Sequence, residues 1–340
     1  MADRLALPGF VNAHSHAFQR AMRGKVEGGD FWAWREAMLD LARGLSPGHV
    51  RMDYAAVFRE MRAAGYTAVG EFHYVGFAEA QAAVEAAREA DVVLTLLYAA
   101  YARGGLERFR QDSVGAYLEQ VEALAAVGAR VGLAPHSVRA CPRDWLEEIG
   151  RHAERERIVL HVHADEQPRE IEECLAEHGV RPIELLAAAG CLGPLTTVVH
   201  ATHANERELD LLAEAGVRVC LCPTTEANLG DGFLPVERLL ARGVGLCTGS
   251  DSNVRIDPLE ELRELEGIAR RQTLRRNVIS VAELLAAGAS AGAAALGIDD
   301  WPGIEVELDH PSLLGVAPSE APAALVLGCA ADVLVGSRGA

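Results

Sequence analysis

The stretch LALPGFVNAHSH, residues 5–16, decides the fold and points to the chemistry of this chain. Its apolar residues 5–11 predict a β-strand, and His14 and His16 follow directly. Side chains two residues apart on a strand point to the same face, so the two imidazoles converge where the strand ends. Convergent imidazoles are typical of a transition-metal site. The alternative is that His14 and His16 are ordinary polar residues at the end of a strand and bind no metal.

Seven more strands are predicted along the chain, most of them followed by an amphipathic helix. They are residues 66–72, 92–98, 131–135, 158–163, 195–200, 217–222 and 244–248. This alternation predicts an α/β fold with a parallel sheet, and eight strand–helix units predict a closed (β/α)8 TIM-type barrel. An open doubly wound sheet fits less well, because no Gly-x-Gly-x-x-Gly follows the first strand.

The last part of the sequence breaks this rhythm. We therefore predict a barrel at residues 5–297 and a short β or irregular appendage at residues 298–340, joined by residues 1–4. Short apolar runs at residues 324–327 and 332–335 are the candidate strands of that appendage. Among the predicted helices, residues 142–156 start with a proline in the first turn, and residues 281–296 form one long helix.

Composition excludes several classes of protein. The net charge of −17 argues against nucleic acid or an anionic membrane as a partner. No charge-free apolar stretch is long enough for a membrane span, and the N-terminus does not look like a signal peptide. The seven cysteines predict reduced, buried thiols and a cytoplasmic protein. A metal-binding pair at Cys220 and Cys222 is the less favoured alternative.

Polar residues collect at the predicted carboxyl ends of the strands, which form the active-site face of such a barrel. They are His14, His16, Glu71, His73, Tyr74, His136, Arg139, His161, His163, Glu166, His200, His203 and Asp251. Structural histidines in the core would not all gather at strand ends. The pattern therefore predicts a site for a single metal ion.

These motifs resemble those of the amidohydrolase superfamily over residues 5–297. The resemblance is carried by His14-Ser15-His16, His163-Ala164-Asp165-Glu166, His200 and Asp251. It implies that His14, His16, His163 and Asp251 hold one divalent metal, with zinc expected first and iron or manganese as alternatives. No lysine that could bridge two metals ends the fourth strand, where His136 stands instead. This implies the single-metal branch, which contains deaminases.

Three residues are the candidate proton-transfer groups. Glu166 follows His163 by three residues, where the chain has left the strand and can curl over the metal. A carboxylate there can take a proton from a metal-held water and pass it to a leaving amine. The alternative is a solvated loop glutamate. His200 is expected to bind the attacking hydroxide or polarise the reacting group, and Asp251 to assist deprotonation.

Three segments and one glutamine narrow the resemblance to the N-formimidoyl-L-glutamate deiminases. They are residues 31–35, 71–75 and 134–139, with Gln19. The resemblance implies hydrolysis of N-formimidoyl-L-glutamate to N-formyl-L-glutamate and ammonia in histidine degradation. It also implies a set of substrate-binding residues: Gln19, Arg35, Tyr74, His136 and Arg139. Guanidinium groups suit a dicarboxylate substrate, since each can grip a carboxylate with two donors.

The sequence also departs from this family. Full-length members carry a β-sandwich built from both termini, and here its strands look shortened; a histidine expected after Tyr74 is replaced by Val75. Two alternatives stay open: another single-metal deaminase of the guanine, adenosine or pterin type, and a barrel without catalysis. A ring-binding deaminase would favour aromatic stacking over two arginines. The sequence leaves a homodimer and the role of His203 open.

Overall fold

Two sheets organise the computed structural model, which describes residues 4–336. The described strands are β1 (Arg4–Pro8), β2 (Phe10–Ser15), β3 (Tyr66–His73), β4 (Val93–Ala100), β5 (Val131–Pro135), β6 (Leu160–Ala164), β7 (Thr196–His200), β8 (Arg218–Leu221), β9 (Gly245–Thr248), β10 (Gly303–Glu307) and β11 (Leu334–Gly336). Strands β2 to β9 form one parallel sheet in chain order, which confirms the predicted eight-stranded architecture.

The two outer strands of this sheet meet through backbone hydrogen bonds. Ser15, at the end of β2, forms a parallel bridge with Asp251, just beyond β9. The Asp251 amide donates to the His14 carbonyl at 2.9 Å, and the His16 amide donates to the Asp251 carbonyl at 2.8 Å. The sheet is thus a closed barrel, and its closure places the carboxyl ends of β2 and β9 side by side.

Helices surround the barrel, as βα units require. Those in the described range are α1 (Phe31–Arg43), α2 (Pro47–Ala63), α3 (Phe77–Glu89), α4 (Val114–Ala126), α5 (Arg143–Glu156), α6 (Pro168–His178), α7 (Pro182–Ala188), α8 (Glu206–Glu214), α9 (Pro223–Leu229), α10 (Val236–Ala241), α11 (Pro258–Thr273), α12 (Val281–Ala287), α13 (Ser290–Ala295) and α14 (Ala321–Gly328). None of these helices is long and apolar enough to cross a bilayer.

The first predicted strand is wrong in one respect, because residues 5–11 form two strands that separate at Gly9. A Cβ at Gly9 would lie 2.0 Å from the Thr67 hydroxyl oxygen and 2.2 Å from the Pro302 carbonyl oxygen. Only glycine fits this close passage. The chain before it leaves the barrel and pairs with β10, so that Leu5 lies opposite Val306.

Several helix predictions also need correction. The single helix predicted at residues 281–296 is two helices, α12 and α13, separated where Gly288 packs against Phe10. Residues 324–327 lie in helix α14 rather than in a strand, and Pro142 precedes α5 as its N-cap. Helices α1, α6 and α9 were not predicted.

The appendage is a three-stranded antiparallel sheet of β1, β10 and β11, built from both ends of the described chain. Strand β11 overlaps the predicted run at residues 332–335. The division into residues 5–297 and 298–340 stays a prediction, and residues 1–3 and 337–340 lie outside the described part.

Gly249 gives a test of the contact between β9 and the start of the barrel. A Cβ there would lie 2.6 Å from the His14 carbonyl oxygen and 2.8 Å from the His14 amide nitrogen, and backbone atoms cannot move aside cheaply. We expect Gly249→Ala to lower the free energy of unfolding by about 1–3 kcal/mol, measured by urea denaturation. Gly193→Ala is the control, because its Cβ would meet nothing within 4 Å. Equal stability of the two variants would contradict this packing.

Candidate metal centre and active site

Three imidazoles converge at the carboxyl end of the barrel. The His14 Nε2 atom lies 3.2 Å from His16 Nε2 and 3.1 Å from His163 Nε2. Asp251 completes the group, with its Oδ1 atom 3.4 Å from His16 Nε2 and 3.7 Å from His14 Nε2. An ion with bonds of about 2.0–2.1 Å holds its ligand atoms at about this spacing. The four predicted ligands are therefore brought together.

The protonation of these histidines fits a metal ion. Burial lowers the pKa of His16 to about 3 and holds those of His14 and His163 well below the ordinary value, so the rings are neutral. His16 Nδ1 donates to the Phe72 carbonyl and His163 Nδ1 to the His136 carbonyl, both at 2.9 Å. Their Nε2 lone pairs are thus free and face the centre, as in metal-binding histidines.

Glu71 supports the loop that carries His16. Its carboxylate accepts hydrogen bonds from the Ser15 hydroxyl and from the Ala17 amide, both at 2.8 Å, and Asn253 donates to the Ser15 hydroxyl at 3.1 Å. Glu71 is fully buried behind the strand end. The sequence placed it at the rim, but its contacts show that it fixes the backbone between the two histidines and the following turn.

His200 lies between two carboxylates, Glu166 and Asp251, the second of which is a candidate metal ligand. Its Nε2 atom lies 3.7 Å from Glu166 Oε1 and 3.8 Å from Asp251 Oδ2. Burial opposes a charge on His200, but Glu166, Glu226 and Asp251 outweigh it and raise the pKa of His200 to about 10. The backbone of His200 and Asp251 has φ of 73° and 46°, in the left-handed region that non-glycine residues adopt infrequently.

A cavity of about 320 Å³ opens beside this group. All five predicted substrate-binding residues line it: Gln19, Arg35, Tyr74, His136 and Arg139. His16, Glu166 and Asp251 also face it. The sequence prediction thus selected residues that share one cavity with the metal group, although their roles stay predictions.

Arg139 is the most unusual cation of this cavity. Its Nε atom is buried and has no hydrogen-bond partner within residues 4–336. Its nearest acids are Glu166 at 3.8 Å and Glu170 at 3.7 Å, beyond hydrogen-bond distance, and the Trp32 ring lies 5.8 Å from its guanidinium. The Arg139 side chain is 19% exposed, and its buried Nε–H group is costly unless a ligand accepts a hydrogen bond from it.

The other three arginines at the cavity differ in their availability. Arg103 is bound by both carboxylate oxygens of Glu177, and Arg169 donates to Glu173 at 2.7 Å. Among the described residues, Arg35 makes a polar contact only with Glu36, its sequence neighbour, at 3.3 Å. Arg35 and Arg139 are therefore the cations best placed to bind an anionic ligand.

Gln19 and Tyr74 form a pair on the wall of the cavity. The Gln19 side-chain amide donates to the Tyr74 hydroxyl at 2.8 Å, while its Oε1 atom is buried and finds no partner in the part of the chain that the structure describes. This oxygen can accept a hydrogen bond from a ligand N–H group. Tyr74 packs between Phe18 and Phe109, which fixes its ring.

Sequence reasoning missed several residues of the site. Trp32 belongs to the motif at residues 31–35, but the sequence assigned it no role, and it lines the cavity. Tyr101, one residue beyond β4, lines the cavity as well. Glu226, which follows β8, contacts His200 from behind. The position of Tyr101 after a strand could have identified it, whereas the Glu226 contact depends on tertiary structure. His203 precedes the N-cap of α8 by two residues, and its buried Nε2 atom has no partner among the residues that the structure describes.

The sequence profile of the amidohydrolase family matches residues 5–306. The chain belongs to the amidohydrolase family. Its curated relatives include the formimidoylglutamate deiminase of Pseudomonas aeruginosa, 38% identical over 81% of this chain and 68% of that protein. Another is a 5-methylthioadenosine/S-adenosylhomocysteine deaminase of Halobacterium salinarum, 29% identical over 94% of this chain and 74% of that protein.

Solved structures agree on the fold. An amidohydrolase from Brucella melitensis has 31% identity and a TM-score of 0.84, and the match covers 97% of this chain and 84% of that one. An adenosine deaminase from Xanthomonas campestris with bound zinc has 22% identity and a TM-score of 0.86, covering 98% and 78%. This amidohydrolase is accordingly a metal-dependent hydrolase that acts on carbon–nitrogen bonds, as predicted.

Proposed function

We propose that this amidohydrolase hydrolyses N-formimidoyl-L-glutamate to N-formyl-L-glutamate and ammonia. The reaction uses one divalent metal, and zinc is the ion that we expect. The observation that carries the proposal is the buried Nε donor of Arg139, which has no hydrogen-bond partner in the described part of the chain and lies beside the candidate metal ligands. Similarity to the formimidoylglutamate deiminase of Pseudomonas aeruginosa supports the same substrate. The proposal includes iron or manganese as alternative metals.

The charge distribution supports a dicarboxylate substrate. The chain carries a net charge of −17, which repels an anion at long range. Arg35 and Arg139 supply positive charge locally, because both line the cavity. Arg35 contacts only its sequence neighbour Glu36 among the described residues, and the ion-pair partners of Arg139, Glu166 and Glu170, lie beyond hydrogen-bond distance. A substrate carboxylate would give Arg139 the paired donors that a planar guanidinium is suited to form.

A nucleoside deaminase is the second candidate, because several relatives are deaminases of adenosine derivatives. The aromatic rings of Trp32 and Tyr101 at the cavity could stack on a base. Such a substrate would leave the buried Nε–H donor of Arg139 without an acceptor, which is the costly arrangement. The cavity therefore favours the dicarboxylate. The family and its deaminase members disfavour the barrel without catalysis.

The residues of the site have distinct roles in this reaction. His14, His16, His163 and Asp251 would hold the metal, which when bound acts as a Lewis acid and lowers the pKa of a coordinated water toward neutrality. Asp251 and Glu166 accept the proton of the attacking water. His200, between these two carboxylates, orients the attack on the formimidoyl carbon.

Collapse of the resulting tetrahedral carbon requires a proton on the leaving nitrogen. Glu166 carries the first water proton to the imine nitrogen, which becomes an amino group. The hydroxyl of the tetrahedral carbon then releases the second proton, which Glu166 passes to the amino group while that carbon becomes the formyl carbonyl. The carbon–nitrogen bond then breaks and ammonia leaves. Arg139 lies 3.8 Å from Glu166, so a carboxylate held by Arg139 places the substrate next to the proton donor. His136 and the Gln19–Tyr74 pair orient the rest of the molecule.

Ammonia release with a panel of substrates tests the proposal. The metal-loaded full chain would be given N-formimidoyl-L-glutamate, 5′-deoxyadenosine, S-adenosylhomocysteine and guanine at equal concentration. We expect kcat/KM to be largest for N-formimidoyl-L-glutamate by several orders of magnitude. A larger value for a nucleoside would overturn the proposal in favour of the second candidate.

Arg139→Lys tests the carboxylate contact. Lysine keeps the charge but offers a compact ammonium in place of two parallel donors. We expect kcat/KM for N-formimidoyl-L-glutamate to fall about ten- to a hundredfold, chiefly through KM, as loss of a charge-assisted hydrogen bond predicts. Turnover of an uncharged formamidine, if measurable, should barely change. Equal losses for both substrates would show that Arg139 only supports the rim.

Two further expectations extend this proposal. The cytoplasmic location and the homodimer stay predictions, and sedimentation velocity of the full chain would decide between monomer and dimer.

A further inference from the structure

Glu226 makes a buried contact with His200 on the side away from the cavity. It lies in the first turn of α9 and is 1% exposed. Its Oε1 atom lies 3.1 Å from His200 Nδ1 and accepts the Cys222 amide at 3.1 Å. The mechanism above does not use this carboxylate, yet it is placed directly behind a residue that the mechanism requires.

The hydrogen-bond pattern fixes which ring nitrogen of His200 carries a proton. The Cys222 amide can only donate, so Glu226 Oε1 is an acceptor on this side. His200 Nδ1 therefore carries a proton and donates it to the same oxygen, whether or not Nε2 is also protonated. The opposite nitrogen, Nε2, then faces Glu166 and Asp251, where the proton transfers take place.

The helix that carries Glu226 is anchored to the loop that carries Asp251. The Thr225 hydroxyl donates to the Ser250 carbonyl at 3.0 Å and lies 3.0 Å from the Ser252 hydroxyl. Glu226, His200 and Asp251 are thus held in one rigid unit. A carboxylate in this unit can fix the orientation of the imidazole more tightly than one on a mobile loop.

We propose that Glu226 is a positioning residue for hydrolysis: it holds His200 in the Nδ1-protonated form and aims its Nε2 atom at the proton-transfer carboxylates. The proposal rests on the proposed function only for the choice of substrate. It differs from a purely structural role, in which Glu226 would only hold the start of α9 and its loss would lower stability but not the rate.

Glu261 provides the matched control. It is fully buried and also holds the start of α9, accepting the Thr224 amide at 3.1 Å and the Thr224 hydroxyl at 2.5 Å. Its hydrogen bonds go to Thr224 and not to His200. Glu226→Gln and Glu261→Gln therefore each remove one buried carboxylate near the same helix turn, but only the first changes the partner of His200.

Steady-state kinetics with N-formimidoyl-L-glutamate give the first measurement. The Glu226→Gln substitution keeps an oxygen acceptor but removes the charge, so we expect kcat to fall about ten- to a hundredfold with KM almost unchanged. Glu261→Gln should keep the kcat of the parent chain even if its melting temperature falls as much. A kcat loss shared by both variants, or by neither, would overturn the proposal.

The second measurement is a double-mutant cycle with His200→Asn. If Glu226 acts only through His200, Glu226→Gln should cost nothing further in the His200→Asn background. The same fold-loss in both backgrounds would contradict the proposal and indicate a role that does not pass through the imidazole.

Proton NMR keeps the inference testable even if N-formimidoyl-L-glutamate is not the substrate. We expect a downfield imidazole N–H resonance that is absent in His200→Asn, displaced in Glu226→Gln and unchanged in Glu261→Gln. This pattern without turnover of N-formimidoyl-L-glutamate would refute the proposed function alone. A His200 N–H resonance that does not respond to Glu226→Gln would refute the positioning role.

Discussion

Replacement of Glu166 by glutamine should lower kcat for N-formimidoyl-L-glutamate by about a thousandfold while the metal content stays that of the parent chain. The amide keeps the size and the acceptor oxygen of the carboxylate, but it cannot take a proton from water and return it to the leaving nitrogen. Glu166 lies 3.7 Å from His200 and 3.8 Å from Arg139, so both neighbours should remain in place.

Glu172→Gln is the control for this variant, because Glu172 is an exposed residue of the same segment and does not line the cavity. It should keep the activity of the parent chain. If Glu166→Gln turned over substrate almost as fast as Glu172→Gln, Glu166 would be a solvated loop glutamate. That was the alternative that the sequence analysis left open.

Removal of one imidazole should have the second large effect. In His16→Ala, the metal would lose a ligand whose Nε2 atom lies 3.2 Å from His14 Nε2 and 3.4 Å from Asp251 Oδ1. We expect most of the bound metal to be lost and activity to fall in parallel, because a site with three remaining ligands is open to water. Elemental analysis of the purified chain measures the loss.

His49→Ala controls for the loss of any histidine, because His49 is exposed at the start of α2 and contacts only the Gly44 carbonyl through its ring. It should bind as much metal as the parent chain. A His16→Ala variant with undiminished metal would contradict the assignment of His14, His16, His163 and Asp251 as the ligand set.

The convergence of the four candidate metal ligands was predictable because two simple rules determine where they lie. Side chains two residues apart share a strand face, which aligns His14 with His16. Parallel strands of a barrel present their carboxyl ends to the same rim, which brings His163 and Asp251 to them. Neither rule requires knowledge of side-chain packing, and the structure brings the four residues within contact distances.

Features that depend on distant contacts could not be predicted. The break between β1 and β2 follows from the close approach of Gly9 to Thr67 and Pro302, which no local pattern reveals. The contact of Glu226 with His200 arises because β7 and β8 are neighbours and α9 begins directly after β8. The free donor of Arg139 is likewise visible only once Glu166 and Glu170 are seen to lie too far away.

The two carbon–nitrogen bonds of the substrate provide the sharpest test of the central claim. Hydrolysis at the formimidoyl carbon can expel ammonia and leave N-formyl-L-glutamate, or expel glutamate and leave formamide. We propose that Glu166 protonates the amino nitrogen while Arg35 and Arg139 retain the glutamyl carboxylates, so the first outcome is expected. The decisive measurement is NMR of the products formed by the metal-loaded chain. Equimolar ammonia and N-formyl-L-glutamate would agree with the account, whereas formamide and glutamate, or unchanged substrate, would contradict it.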